Sequence, residues 1–308
     1  MTAEPEIIEF DEAPEKRLLI DGDVLIHMAC WQKPISKKKQ EEMKEEIEEI
    51  REFQGDNELI ARLEKKLEDS ILTYQPTIEK AQSRFRHFMR QSLERSHCEE
   101  YSMAIGDSKD NWRLDIHPEY KLHKGRAGNN KKRAPYIQDL RMWAVKEYGA
   151  HYCQGYEADD AIRTWATRLG IGNYVVCSVD KDLNLIPGDH FDPKTDDKDK
   201  RFWYMEPEES AMFFWEQMLT GDSIDNIPGI RGIGPKKAAK LLEPCENEQD
   251  CKEVVVQQYD LKYGEEGYKE LLFNGQLLHI WRSKGDNWSF DPKEYEEITG
   301  TKPVVGRE

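Results

Sequence analysis

Three signals are missing from the sequence, and each absence narrows the class of protein. The six cysteines form no C-x-x-C pair and have no histidine cluster beside them, which excludes a zinc finger and fits reduced cysteines of an intracellular protein. The acidic N-terminal stretch has no apolar segment of the kind found in secretory signals. No apolar run approaches the length of a membrane span. We therefore expect an intracellular location, in the cytoplasm.

An excess of positive charge is also missing. The 308 residues carry a formal net charge of −16, although 34% of them are charged. Taken alone, this balance argues against nucleic acid as a partner, because phosphates are anionic. It is an average, so the local distribution of charge must decide.

The pattern of elements predicts an α/β fold with a parallel sheet. Buried strands are predicted at 18–20, 101–107, 150–154 and 173–182, with amphipathic helices between them. Residues 191–204 read as a hairpin with a polar tip, and residues 207–222 as a helix. The chain after residue 245 is predicted to be mainly helical, with loop and tail over 285–308.

Residues 36–69 form a highly charged segment between the first two strands. Apolar residues recur at helical spacing on both sides of a break at residues 55–57, which predicts two amphipathic helices joined by a turn. A solvated helical hairpin without chemistry is the favoured interpretation of this segment.

Acidic residues recur where predicted strands end. In an open α/β sheet ligands bind beyond the carboxyl ends of the strands, so we expect these acids to share one cleft. Taken one at a time, Asp23 could be a turn residue, Asp160 a helix-cap acid and Asp182 a surface residue. The set of nine candidate metal ligands is Asp21, Asp107, Glu157, Asp159, Asp160, Asp180, Asp182, Asp222 and Asp225.

Carboxylates crowded together raise one another's pKa values, and a divalent cation relieves the repulsion. Oxygen-only ligands select a hard ion such as Mg²⁺ or Mn²⁺. A set of this size could hold two ions, about 3.5–4 Å apart, which together activate water for attack on a phosphodiester.

The stretch "IPGIRGIGPKKAAKLL", residues 227–242, predicts a helix-hairpin-helix that binds the DNA backbone without reading bases. Glycines permit a tight hairpin, a proline begins the following helix, and lysines add positive charge near its free N–H groups. An ordinary glycine-rich turn before a basic helix is the alternative. The residues concerned are Gly229, Gly232, Gly234, Lys236, Lys237 and Lys240.

A basic stretch at 117–133 follows the strand that ends at Asp107. Tyr120 offers an aromatic face and the cations offer charge to a single strand, although a solvated basic loop is an equal alternative. The cations are Lys121, Lys124, Arg126, Lys131, Lys132 and Arg133.

These motifs resemble the 5′-nuclease (flap endonuclease) family, and most of all the 5′→3′ exonucleases of bacteriophages. The matching stretches are "LLIDGDVLI", "AIGDS" with "HPEYK", "EADDAI", "SVDKDLNLI" and "LTGDSIDNIPGIRGIGPKKAAKLL". The resemblance implies a PIN-like catalytic core over 1–205, with an arch at 115–135. It also implies a helix-three-turn-helix and C-terminal helical region over 206–308. The charged insertion at 36–69 departs from the family pattern.

The resemblance also implies roles for the candidate residues. One ion would be held by Asp21, Asp107, Glu157 and Asp159; the second by Asp159 or Asp160 with Asp180, Asp182 and Asp225, supported by Asp222. Tyr120 and either Lys121 or Arg126 would act at the scissile phosphate. A K⁺ ion would lie on backbone carbonyls near Ile230 and Ile233.

The expected activity is metal-dependent 5′→3′ exonuclease and flap endonuclease cleavage of DNA or RNA–DNA hybrids, leaving a 5′-phosphate and a 3′-hydroxyl. Replication, primer removal and DNA degradation are the expected uses. Two alternatives remain open: a catalytically inactive, structure-specific DNA-binding protein and a PIN-type ribonuclease.

Overall fold

The computed structural model describes residues 16–53, 57–107, 110–122 and 134–304. Its centre is one six-stranded sheet with the order β3-β2-β1-β4-β5-β6. The five strands β1 to β5 run parallel, and β6 pairs antiparallel with β5. The predicted α/β class with a parallel sheet at its core is confirmed. The strands are β1 Arg17–Asp21, β2 Tyr101–Gly106, β3 His151–Cys153, β4 Tyr174–Cys177, β5 Gly188–Phe191 and β6 Phe202–Met205.

The strand order places a topological switch point between β1 and β4. The chain proceeds outward from β1 to β2 and β3, and then returns to β4 on the other side of β1. The two connections leave the sheet in opposite directions at this point, so a crevice opens beyond the carboxyl ends of β1 and β4. Asp21 ends β1, and Asp180 follows β4 by three residues.

Helices cover both faces of the sheet. On one face, α1 and α4 pack beside each other through apolar residues such as Leu25, Ile26 and Phe85. On the other, α7 packs through Ala161 and Ile162. The helices of this part are α1 Gly22–Cys30, α2 Lys37–Glu52, α3 Asn57–Ile71, α4 Ile78–Ser96, α5 Arg113–Ile116, α6 Ile137–Tyr148 and α7 Ala158–Leu169.

The charged insertion folds as the two helices that the sequence predicts, α2 and α3. Ser36 caps α2 by accepting a hydrogen bond from the Lys39 N–H, 3.3 Å away. The two helices pack on each other, with Ile47 and Ile60 as their buried residues.

A second apolar core lies in the helices that follow β6. They are α8 Pro207–Thr220, α9 Pro235–Leu242, α10 Glu248–Tyr263, α11 Gly267–Leu278 and α12 Pro292–Thr299. Trp215, Val255 and Leu271 are among the buried residues of this core, and Tyr120 contributes to it from the first half of the chain. The domain boundary near residue 205 stays a prediction, because side chains from both halves share this core.

One expectation for this region was wrong. Residues 285–308 were expected to be loop and tail, yet α12 forms within them. Asp291 caps the helix, Pro292 occupies its first turn, and Tyr295 is buried against the second core. The segment has too few apolar residues to predict a helix, and packing against the second core stabilises the helix that forms.

The described helices include none that is both long and apolar enough to cross a membrane.

Candidate active site

A cleft of about 980 Å³ opens at the carboxyl ends of the parallel strands. Its wall includes five of the nine predicted ligands and one further acid, Asp23. The five are Asp21, Asp107, Glu157, Asp159 and Asp180. Residues far apart in the sequence therefore meet at one edge of the sheet, as the strand-end rule predicts.

Asp21 lies at the switch point and is almost fully buried. Its Oδ1 caps α1 by accepting hydrogen bonds from the N–H groups of Asp23 (3.1 Å) and Val24 (3.3 Å), and its Oδ2 accepts one from the Ser178 hydroxyl (3.0 Å). Burial, and then the charges of Asp23 and Asp180, raise the pKa of Asp21 to about 7, against these stabilising hydrogen bonds. The fold thus places a carboxyl where ionisation is unfavourable without a cation.

Asp159 behaves in the same way. Burial, followed by the negative charges of Asp180 and Asp21, raises the pKa of Asp159 well above its ordinary value. Asp21, Asp159 and Asp180 thus form a mutually repelling set that spans the switch point.

Glu157 has the opposite environment. The Lys121 ammonium contacts Glu157, and the Arg113 guanidinium lies 3.2 Å from its Oε2. Burial opposes ionisation, but these two cations outweigh burial and lower the pKa of Glu157. Glu157 is therefore a carboxylate whose charge the protein already neutralises.

Tyr120 does not have the exposed face that base stacking requires, so that part of the prediction was wrong. Its side chain is only 4% exposed and packs into the second core. The hydroxyl lies 2.9 Å from Glu157 Oε2 and 3.1 Å from Asp225 Oδ2, so its single proton can serve one of them at a time. Tyr120 links two acids rather than a substrate base.

Lys121 joins the same pair of acids. Its Nζ contacts Glu157 and lies 3.5 Å from Asp225 Oδ2, and its N–H donates to the Asp225 carbonyl (2.9 Å). Burial raises the pKa of Asp225, while Lys121 opposes that rise.

Asp160 is not available to a metal ion, contrary to its place among the candidate ligands. It is fully buried, and its two oxygens accept two hydrogen bonds from Arg113 (2.9 and 3.0 Å). Further donors are the Trp112 indole, the Trp281 N–H and the Glu157 N–H. The last of these completes a capping box at the start of α7. Asp160 is thus the helix-cap acid of the alternative interpretation, and its lone pairs face donors rather than the cleft.

Asp182 and Asp222 lie outside the lining of the cleft. Burial and then Asp180 raise the pKa of Asp182 to about 6, and Gln217 donates to it at 2.7 Å. Asp222 is bound by Lys181 (2.6 Å) and accepts the N–H groups of Ile224 and Asp225, so its pKa is lowered in spite of burial. Asp222 therefore holds the turn that carries Asp225.

Within the described ranges, no group of three or more His, Cys, Asp or Glu side chains has an arrangement that could hold a metal ion. The chemistry of the cleft still suits a hard cation, because its acids offer only oxygen atoms. The division of the acids between two ions stays a prediction.

Sequence reasoning missed two arginines. Arg141 binds Asp23 Oδ1 through Nε (2.9 Å) and Nη2 (2.6 Å), while the other Asp23 oxygen accepts the Gly106 N–H (3.0 Å). Arg113 was missed because a single arginine after the second strand carries no spacing signal. Only the folded structure shows that Arg113 lies against Trp112 and binds acids of "EADD".

The hairpin after α8 depends on two glycines in close contact. Gly221 (φ 62°) and Gly229 (φ 59°) face each other so closely that a Cβ on either would lie 2.2–2.3 Å from backbone atoms of the other arm. Gly232 also has a positive φ (92°), Gly234 precedes α9, and the helix begins at Pro235 as predicted. The side chains of Lys236, Lys237 and Lys240 are exposed.

Ile230 and Ile233 are buried in this hairpin, and the Ile230 carbonyl accepts the Ile233 N–H at 2.9 Å. The K⁺ site there stays a prediction. Five predicted cations lie outside the described residues: Lys124, Arg126, Lys131, Lys132 and Arg133.

No model of a known protein family matches the chain. It is similar to flap endonuclease Xni of Shewanella piezotolerans, with 31% identity over 148 residues, which is 43% of this chain and 54% of the relative. Flap endonuclease Xni of Pectobacterium carotovorum shares 29% identity over 170 residues, 51% of this chain and 64% of the relative. DNA polymerase I of Rhizobium leguminosarum shares 39% over 100 residues, 29% of this chain and 10% of the relative.

The chain thus spans about half to two thirds of the length of these flap endonucleases, and a tenth of that polymerase. The crystal structure of the T5 D15 protein co-crystallised with metal ions is similar at 17% identity and a TM-score of 0.49, covering 85% of this chain and 86% of that one. The resemblance to the 5′-nuclease family is confirmed by the sequence relatives.

The two neighbouring acids Asp21 and Asp23 should respond oppositely to neutralisation. The unfolded Asp21 carboxyl ionises near pH 3.8 and the folded one near 7, so the folded chain holds the extra proton between these values and its stability falls as pH rises through them. We expect Asp21→Asn to raise the free energy of unfolding at pH 8, on the order of 2 kcal/mol, measured by urea unfolding without divalent ions. Asp23→Asn should lower it, because we expect the weakened Arg141 pair to outweigh the relief of the repulsion between Asp23 and Asp21. An Asp21→Asn protein less stable than wild type at pH 8 would contradict this.

The Arg113–Asp160 pair yields the second prediction. Asp160→Asn removes the carboxylate that accepts two hydrogen bonds from the buried guanidinium and leaves Arg113 only the Glu157 charge, so we expect a loss of about 3 kcal/mol of stability in urea unfolding. The i,i+4 surface pair of the exposed Lys65 and the half-buried Asp69 serves as the control, and Asp69→Asn there should cost less than about 1 kcal/mol. Equal costs for both substitutions would refute the role given to Asp160.

Proposed function

We propose that this protein is a metal-dependent 5′-nuclease that cleaves phosphodiesters in DNA at 5′ ends and flaps. The observation that carries the proposal is the acidic cleft at the switch point, where Asp21 and Asp159 resist ionisation because acids crowd around them. Its similarity to flap endonucleases supports the same activity. The location that goes with this activity is the cytoplasm, where chromosomal or phage DNA is processed.

Asp21, Asp107, Asp159 and Asp180 are the residues that would hold Mg²⁺ or Mn²⁺, because they line the cleft and offer only oxygen ligands. Bound ions of this type activate water and stabilise the charge on the phosphodiester. Glu157, already neutralised by Lys121 and Arg113, would sit beside them as a weaker partner.

Lysines of the protein would neutralise the negative charge of the substrate phosphates. Lys121 lines the cleft and its side chain is 35% exposed, so the ammonium can exchange Glu157 for a scissile phosphate without crossing the protein. The exposed lysines of α9, together with the free N–H groups at its start, would bind the duplex backbone. K⁺ in the adjoining hairpin and cleavage of RNA–DNA hybrids belong to the same proposal.

One observation favours a second candidate, a DNA-binding protein without cleavage. The cations already bound to Glu157 are what an inactive relative would show.

Cleavage of a 5′-labelled flap separates these two candidates. We expect wild type to cleave it with Mg²⁺ or Mn²⁺ and to stop in excess chelator. Asp180→Asn should lower the rate at least about 100-fold, because the exposed Asp180 is expected to act at the ion rather than in folding. Asp189→Asn, which removes only a surface pair with Lys16, is the control and should cleave normally. Wild type that binds the flap yet leaves it intact with every divalent ion would establish the second candidate.

The lysines of α9 generate a separate prediction on affinity. Replacing Lys236, Lys237 and Lys240 with Gln should weaken duplex binding and reduce the slope of log K against log salt by about 2–3, because each phosphate contact contributes close to 0.9. A control with three exposed lysines from other elements, Lys146, Lys194 and Lys293, should keep the wild-type slope. Fluorescence anisotropy between 50 and 200 mM salt measures both, and an unchanged slope in the α9 variant would disprove the contact.

A further inference from the structure

The charged helical hairpin α2–α3 joins the body through two paired segments, which we call the root. Trp31 and Tyr74 form an antiparallel bridge there. The Gln32 N–H donates to Thr73 O (3.1 Å), the Gln75 N–H donates to Cys30 O (2.7 Å), and both glutamine side chains donate to backbone carbonyls across the root. The root is therefore cross-linked by hydrogen bonds and positions its side chains firmly.

Two aromatic residues of the root, Trp31 and Tyr74, form one wall of the acidic cleft, which we call the aromatic wall. Trp31 and Tyr74 line the same cavity as Asp21 and Asp107. Tyr74 packs edge-on to Tyr136, with ring centroids 6.4 Å apart, and the Tyr136 hydroxyl donates to Gln75 O at 2.6 Å. Trp31, in contrast, is 55% exposed. A large indole held at the rim of a cleft by fixed backbone presents an open face for stacking.

The positive charge of the hairpin is concentrated beside this wall. Lys37, Lys38 and Lys39 fill the first turn of α2, where acids would stabilise the helix dipole and lysines do not. Among the described residues, Lys33, Lys37 and Lys39 have no carboxylate within 4.0 Å, while Lys38 lies 3.8 Å from Glu42. The acids of α2 begin only beyond this turn, and they are Glu41, Glu42, Glu45, Glu46, Glu48, Glu49 and Glu52. The root end of the helix is thus cationic and the remainder anionic.

We propose that the root is a binding site for single-stranded nucleic acid, in which Trp31 stacks on an unpaired base while Lys33, Lys37 and Lys39 bind its phosphates. Stacking platforms flanked by cations are the general way in which proteins hold single strands. Continuity with the acidic cleft fixes the occupant as the strand whose phosphodiester reaches the acids. In this respect the inference rests on the proposed function. The acids further along α2 repel phosphate and confine the strand to the root.

Binding of fluorescein-labelled octathymidylate, followed by anisotropy in the Asp180→Asn background with Mg²⁺, tests the site. We expect Trp31→Leu to weaken binding roughly 5- to 100-fold, the range that stacking of one base supplies. Trp31→Phe should stay within about threefold. Phe53→Leu is the matched control, because Phe53 is 86% exposed but lies beyond the far end of α2, about 24 Å from the root along the helix. It should bind as the background does.

An abasic strand with the same phosphates distinguishes stacking from a structural effect. It should bind equally to the background protein and to Trp31→Leu, because it has no base to stack. Octathymidylate binding that is unchanged in Trp31→Leu, or an equal loss for the abasic strand, would overturn the proposal. Flap cleavage by the wild-type protein is measured separately. If the wild type cleaves the flap and the Trp31→Leu variant binds octathymidylate normally, only the root site is refuted. If the wild type does not cleave the flap, the proposed nuclease activity is refuted.

Discussion

The site depends on one buried guanidinium. The Arg113 side chain donates four hydrogen bonds, two to Asp160 and one each to the backbone carbonyls of Leu277 and His279, and its Nη1 forms an ion pair with Glu157. Arg113 is 2% exposed, so any donor left without an acceptor would carry a full desolvation penalty. Because the geometry of a guanidinium is fixed, satisfying it fixes the start of α7 against the end of α11. The part of the chain after residue 245, in which no catalytic pattern is visible, thereby determines where Glu157 lies.

This constraint also explains where sequence reasoning succeeded and where it failed. Strand-end acids could be predicted, because parallel strands bring their carboxyl ends to one edge whatever their partners are. The sequence could not predict which acid of "EADD" lines the cleft and which is buried against Arg113. Successive residues of a helix are about 100° apart, so Asp159 and Asp160 face different surroundings, and only the three-dimensional position of Arg113 decides which of them is sequestered. The prediction for Tyr120 was wrong for a related reason. A basic loop suggests an exposed ring, but the ring is buried in the second core, which is assembled from helices distant in the sequence.

The acids of the site divide into two electrostatic groups. Glu157, Asp23 and Asp222 each have a bound cation from the protein, respectively Lys121 with Arg113, Arg141, and Lys181. Asp21 and Asp159 have raised pKa values, because burial is combined with like charges nearby. Internal ion pairs that position a loop need no further ion, whereas the second group is stable as anions only with an external one. The hard-cation site that we propose therefore belongs to the second group and to Asp180, which repels it.

The net charge of −16 misleads because the charges are segregated along the chain. Acids are concentrated in the cleft, where a divalent ion inverts their effect on a phosphate, and along α2 beyond its first turn, where they repel one. Exposed lysines occupy α9 and the first turn of α2. A uniform distribution of the same charges would repel DNA everywhere. Under the proposed function this distribution would repel the strand from the acidic part of α2 and attract it to the root, the cleft and α9, so the acidic excess would direct the substrate rather than reject it.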